Sequence, residues 1–114
     1  MYLNEIDEVQ NFLNKEIEKE EKYMSTKNYI FFKKNKLSPY KIIECNAIKG
    51  NEYCFLILVF NNKGIFFDDI ESDFGLCNVK LQNKCSDFRV FDGTLNGVLE
   101  KLSISSLVIT SSKR

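Results

Sequence analysis

The chain has 114 residues, with 16 Lys plus Arg against 16 Asp plus Glu and a formal net charge of zero. That length suits a single domain over 1–114, and the charge balance excludes both a bulk basic footprint for nucleic acid and a bulk acidic tail. Histidine is absent, which excludes every catalytic triad, zinc site or proton shuttle built on imidazole, and the 44% of hydrophobic residues suffices for a core.

Leu3–Met24 predicts a helix, because Leu3, Ile6, Val9, Leu13 and Ile17 recur at steps of three and four. Asn4 is placed to cap it, and Asp7 and Glu8 in the first turn suit the positive end of the helix dipole. Tyr29–Lys33 then reads as a short aromatic strand, and Asn35–Pro39 as a loop, since the residue before a proline avoids helical geometry. Tyr40–Ile48 reads as a strand and Lys49-Gly50-Asn51 as a turn. Glu52–Phe60 contains CFLILVF without a polar interruption, so both faces should be covered and the strand should be central. Asn61-Asn62-Lys63-Gly64 suits a type I turn with Gly64 in the left-handed position. Strands are expected over Gly64–Ile70, Leu76–Leu81 and Asp87–Phe91, with an acidic loop at Glu71–Gly75. Thr94 caps a helix through Leu102 whose apolar face is Leu95, Val98, Leu99 and Leu102. Ser103–Thr110 reads as a further strand or an ordered extension. The expected fold class is α+β: an N-terminal helix, an antiparallel sheet of about five strands in hairpins and a C-terminal helix, forming a two-layer sandwich with the helices on one sheet face.

The N-terminus lacks the basic start and unbroken apolar stretch of a signal peptide. The longest apolar run, Tyr53–Phe60, is far shorter than the roughly 20 residues of a membrane span. The expected location is the cytoplasm, away from the membrane. Cys45, Cys54, Cys77 and Cys85 show no C-x-x-C spacing, so no metal is expected and reduced thiols are, with Cys45 and Cys54 as small core residues. A two-residue Lys49-Gly50 loop would instead set Cys45 opposite Cys54 and permit a disulfide. The chain has no glycine-rich phosphate loop, no G-x-S-x-G elbow and no imidazole base for a Ser or Cys nucleophile. No catalytic residue and no cofactor is therefore expected.

The densest local chemistry is Asp68-Asp69-Ile70-Glu71-Ser72-Asp73. Carboxylates this close repel one another unless cations face them. A calcium loop fails on spacing, because its twelfth position is Lys80 where a bidentate Glu is needed. A glycosidase pair fails because Asp68 and Asp69, adjacent on a strand, point to opposite faces. What remains is a solvated loop or a docking surface for a basic partner, formed by Asp68, Asp69, Glu71 and Asp73 with Asp87 and Asp92 as neighbours. A second feature has the opposite sign: Lys27, Lys33, Lys34, Lys36 and Lys41 interleave with Tyr29, Phe31, Phe32 and Tyr40, as on a platform for single-stranded nucleic acid. Strand periodicity assigns those aromatics to the core instead, and lysines also protect an edge strand from pairing.

The central hairpin YCFLILVFNNKGIFFDDI, the acidic turn ESDFG and the closing FDGTLNGVLEKL together resemble small bacterial immunity proteins, which neutralise a cognate toxin domain delivered by a neighbouring cell. The resemblance spans about residues 40–102 and is one of layout. It implies no catalysis and one tight protein partner, often a nuclease toxin whose basic active site is plugged by an acidic surface. The alternatives are a nucleic-acid-binding regulator using the Lys27–Lys41 surface, and a small phage or mobile-element protein with another protein target.

Overall fold

In the computed structural model, which describes residues 5–45 and 53–102, helix α1 runs Ile6–Glu21 and buries Leu13 and Ile17 from the expected apolar stripe. Asn4 lies outside the described residues. The helix stops short of Met24, which packs against the core after a turn.

The segment expected to be an aromatic strand is a second helix, α2, Thr26–Asn35. The Ser25 hydroxyl caps it, accepting from the Asn28 N–H at 3.1 Å. Only Asn28 and Phe32, one helical turn apart, are buried, while Phe31 packs edge-on against Phe60 with centroids 5.0 Å apart. A short apolar run fits both periodicities, and here the cap and the spacing of the buried pair select the helix. The loop expected over Asn35–Pro39 is likewise replaced by the start of strand β1, Lys36–Glu44. Its proline is accommodated because β1 is an edge strand whose register is irregular between Lys36 and Lys41. The end of the Tyr40–Ile48 strand, the Lys49-Gly50-Asn51 turn and Ser103–Thr110 lie outside the described residues.

Strands β2 (Tyr53–Phe60), β3 (Lys63–Asp68), β4 (Asp73–Val79) and β5 (Cys85–Arg89) complete an antiparallel sheet of order β1-β2-β3-β4-β5. As its sequence demands, β2 is an inner strand. The β2–β3 turn differs from expectation. Phe60 pairs with Lys63, so the loop is Asn61-Asn62 alone, and both residues have positive φ, 50° and 63°. This is the type I′ arrangement, whose twist matches the flanking strands. Gly64 is thereby moved out of the turn and into β3, between Val59 and Cys77. β4 begins at Asp73 rather than Leu76, because Asp68 and Asp73 pair and close the hairpin. β5 ends at Arg89, leaving 90–94 as a loop before helix α3, residues 95–102.

Two apolar clusters flank the sheet. The first joins Leu13, Ile17 and Phe32 of the first two helices, and Leu95, Val98, Leu99 and Leu102 of α3, to Phe55, Ile57, Leu58, Ile65, Phe67 and Phe74. A register shift between Leu56 and Leu58 turns both Ile57 and Leu58 toward the helices. At about 1.5–3 kcal/mol for each large side chain removed from water, this cluster dominates the stability of the domain. The second cluster, on the opposite face, is Ile43, Cys45, Cys54, Leu56, Phe66, Cys77 and Val79, with Leu37, Val59, Cys85 and Phe88 packed against it. The sheet rolls around it: β1 residues Lys41–Glu44 and Gln82, Lys84 and Cys85 at the far edge line one groove of about 610 Å³. Cys45 and Cys54 are joined in a disulfide, where reduced thiols were expected. Cys54 pairs with Ile43, two residues before Cys45, so the two cysteines are diagonal neighbours across the β1–β2 pair with Cα atoms 6.0 Å apart.

Helix α3 is fastened to both preceding helices. The Glu20 carboxylate accepts from the Asn96 backbone N–H at 2.8 Å, placing a negative charge at the helix start, and the Asn96 amide donates to the Glu20 carbonyl at 3.0 Å. Asn28 donates to Glu100 at 2.7 Å.

Candidate protein-binding surface

The acidic residues singled out in the sequence fall into three situations. Asp68 is buried, 2% exposed, and its carboxylate accepts from the Ile70 N–H at 3.1 Å, shaping the turn over 69–72. It is thus part of the hairpin rather than of a surface a partner can reach, which corrects its assignment to the binding face. Asp69 and Asp73 are half-buried and Glu71 is exposed.

The second situation is created by Gly93. Its carbonyl accepts from the Phe74 N–H at 2.9 Å, which ties the loop over 90–93 to the start of β4. Gly93 has φ of 81°, and a Cβ at this position would collide with the Asp73 carboxylate. The close approach brings Asp92 into the same region as Asp73. Asp92 is exposed; its carboxylate accepts from both the backbone N–H and the hydroxyl of Thr94 at 2.9 Å. These two hydrogen bonds hold its carboxyl below the usual Asp range. The Thr94 hydroxyl in turn accepts from the Gly97 N–H at 3.0 Å, the expected cap of α3.

Asp87 is elsewhere, which corrects its grouping with the others. It accepts from the Asn78 amide at 2.7 Å, and Asn78 accepts from Lys63 at 2.6 Å, so Asp87 ends a polar chain across β3, β4 and β5. Asn78 lies five residues beyond Asp73 on β4, roughly 17 Å along the strand. Lys63 and Asn78, with Asp87, Arg89 and Phe91, line a groove of about 320 Å³, so Phe91 borders this groove as well as belonging to the loop over 90–93.

The structure adds apolar residues that the sequence did not mark. Ile70, at the acidic turn, is 49% exposed; Val90 and Phe91, in the loop fastened by Gly93, are 44% and 48% exposed. Lys101 Nζ stands 5.1 Å from the centre of the Phe91 ring. Alternation alone places Phe91 at the end of a strand and cannot report that it faces water. The turn thus exposes Ile70 and Glu71, and the loop exposes Val90, Phe91 and Asp92.

The lysine-rich segment does not form an aromatic platform. It is helical: Phe32 is buried, Phe31 packs on Phe60, and Lys33 is engaged by Glu21 at 3.2 Å and by the Tyr29 ring at 5.4 Å. Lys27 and Lys34 are exposed on the outer side of α2 beside Ile30. Among the described residues, no three Cys, Asp or Glu side chains are grouped to hold a metal ion, and no helix is long and apolar enough to cross a membrane. Comparison of the chain with protein-family models, with curated proteins and with solved structures gives no match.

Proposed function

We propose that this chain is a non-catalytic protein-binding domain of the immunity type, which neutralises a toxin domain by docking the turn over 69–72 and the loop over 90–93 onto it. The observation that carries the reading is the Phe74–Gly93 hydrogen bond. It ties the loop that carries Val90, Phe91 and Asp92 to the start of β4 at Asp73, next in the chain to the turn that carries Ile70 and Glu71, so that two linked segments expose apolar and acidic side chains. Such a composition fits a partner with a cationic surface, a nuclease-type toxin among them: the carboxylates speed encounter, and the apolar side chains set residence time. On this reading the protein works in the cytoplasm and needs neither cofactor nor metal.

The test is binding to the purified product of the adjacent toxin gene, measured by surface plasmon resonance. Asp73→Asn and Asp92→Asn should slow association, with the difference shrinking as salt rises. Phe91→Ala and Ile70→Ala should speed dissociation. Wild-type kinetics in all four variants, or no binding by the unaltered protein, refutes the proposal.

A further inference from the structure

Every cysteine of the chain lies on the face of the sheet away from the helices: Cys45, Cys54 and Cys77 within the second apolar cluster, and Cys85 packed against it. They divide between the two edges of the sheet. Cys45 follows β1 and Cys54 is on β2, while Cys77 is on β4 and Cys85 begins β5. The β4–β5 register pairs Val79 with Cys85 and Asn78 with Ser86, so Cys77, two residues before Val79, projects to the same face as Cys85 on the neighbouring strand. The two residues are diagonal neighbours across the β4–β5 pair, two residues out of step on one face, and the Cys77 thiol donates to the Gly64 carbonyl at 3.7 Å. The strands at this point are not a rigid ladder. The register shifts between Leu76 and Asn78, and Asp87 has φ of 54°, a local irregularity that can absorb a small change in separation.

We infer that Cys77 and Cys85 form a second dithiol–disulfide pair, matching Cys45–Cys54, so that oxidation fastens each outer strand to its inner neighbour. Access differs between the two thiols. Cys77 is buried, whereas Cys85 is half-buried and opens onto the groove it shares with Lys41, Glu44 and Lys84, where a small soluble disulfide such as oxidised glutathione reaches it. The Cys85 thiolate attacks one sulfur of glutathione disulfide and expels one glutathione thiolate. The Cys77 thiolate then attacks the Cys85 sulfur and expels the second. The two cysteine protons end on two molecules of glutathione, and the protein loses two electrons to the oxidant. Burial raises both thiols above the ordinary range, so the exchange is slow compared with that of an exposed redox sensor. In a reducing cytoplasm both pairs stand as dithiols; in an oxidising medium both close.

The full chain is incubated with oxidised glutathione, unfolded, alkylated with N-ethylmaleimide and digested without reduction. The expected map contains one peptide pair linking Cys45 to Cys54 and another linking Cys77 to Cys85, with no alkylated cysteine. The Cys77→Ser variant should retain glutathione on Cys85, because the resolving thiol is gone. The inference is overturned if Cys77 and Cys85 remain alkylated in the wild-type protein. Glutathione held on wild-type Cys85, or Cys85 linked to Cys45 or Cys54, overturns it equally. The wild-type map decides the matter alone should the variant fail to fold.

Discussion

Replacing Gly75 with alanine should destabilise the domain more than the same change at Gly64. Neither glycine has a left-handed backbone, so the difference is steric. A Cβ at Gly75 would collide with the Arg89 carbonyl oxygen and stand 2.6 Å and 2.7 Å from Cζ and Cε1 of Phe66. That carbonyl belongs to the backbone of β5, and Phe66 is fully buried with its ring edge-on to Phe88, so neither obstacle can swing aside. A Cβ at Gly64 meets only the ends of side chains: Val79 Cγ2 at 2.7 Å, Leu56 Cδ1 at 2.8 Å and Cys77 Sγ at 3.1 Å. Overpacking costs about 1–3 kcal/mol, with Gly75→Ala at the top of that range and Gly64→Ala at the bottom. Restricting the unfolded chain returns about 0.4–1 kcal/mol in both cases. The net loss is then about 2 kcal/mol or more at Gly75 and under about 1 kcal/mol at Gly64. At about 4 °C per kcal/mol for a domain of this size, Tm should fall by about 8 °C in the first variant and by under about 4 °C in the second. Urea denaturation followed by circular dichroism measures both. A Gly75→Ala protein at least as stable as Gly64→Ala would show that β5 and Phe66 yield, and that the second cluster is loosely packed.

Joint replacement of Cys45 and Cys54 by alanine opens a ten-residue loop and should cost the oxidised protein about 2.7 kcal/mol in equilibrium unfolding, with the reduced proteins differing less. Glu20→Ala strips the Asn96 N–H of its acceptor and should cost about 1–3 kcal/mol; loss of near-ultraviolet signal from the packed aromatics before the sheet melts would locate the damage at α3. Because hydrogen bonds depress the Asp92 pKa in the folded state, its contribution is complete above about pH 4 and is lost as pH falls through that lowered value. Asp92→Asn keeps an acceptor for Thr94 but removes the titration, so the stability difference from wild type should shrink between about pH 5 and pH 2 in denaturant titrations.

Long periodic segments were legible in the sequence, and short or irregular ones were not. CFLILVF marked an inner strand because an unbroken apolar run admits no wet face, and Leu95, Val98, Leu99 and Leu102 marked α3 through their helical spacing. Tyr29-Ile30-Phe31-Phe32 misled because four apolar residues satisfy either period; the deciding partner, Phe60, is 29 positions from Phe31. The Asn61-Asn62 turn was placed at the right residues, but the choice between one and two left-handed residues depends on the register of the strands it joins. The acidic surface shows the same division. Composition singled out Glu71, Asp73 and Asp92, the carboxylates kept in the proposed surface. The inward aim of Asp68, the separation of Asp87 and the outward aim of Phe91 follow from pairing, a register shift and one glycine contact, none of which is written locally.

The attachment of α3 also bears on the order in which the chain folds. All four strand pairings join consecutive strands, so each can close over a short stretch of chain at little entropic cost. The bonds from Glu20 to Asn96 and from Asn28 to Glu100 span 76 and 72 residues, and the first cannot form until the whole meander has been made. During synthesis from the N-terminus, the early helices must therefore wait, with their apolar faces only partly covered, until α3 arrives. A chain halted before Thr94 would hold its hairpins yet leave Leu13, Ile17 and Phe32 without the Leu95–Leu102 side of their cluster. Such a species would be prone to associate with itself, and completion of α3 is what ends that exposure.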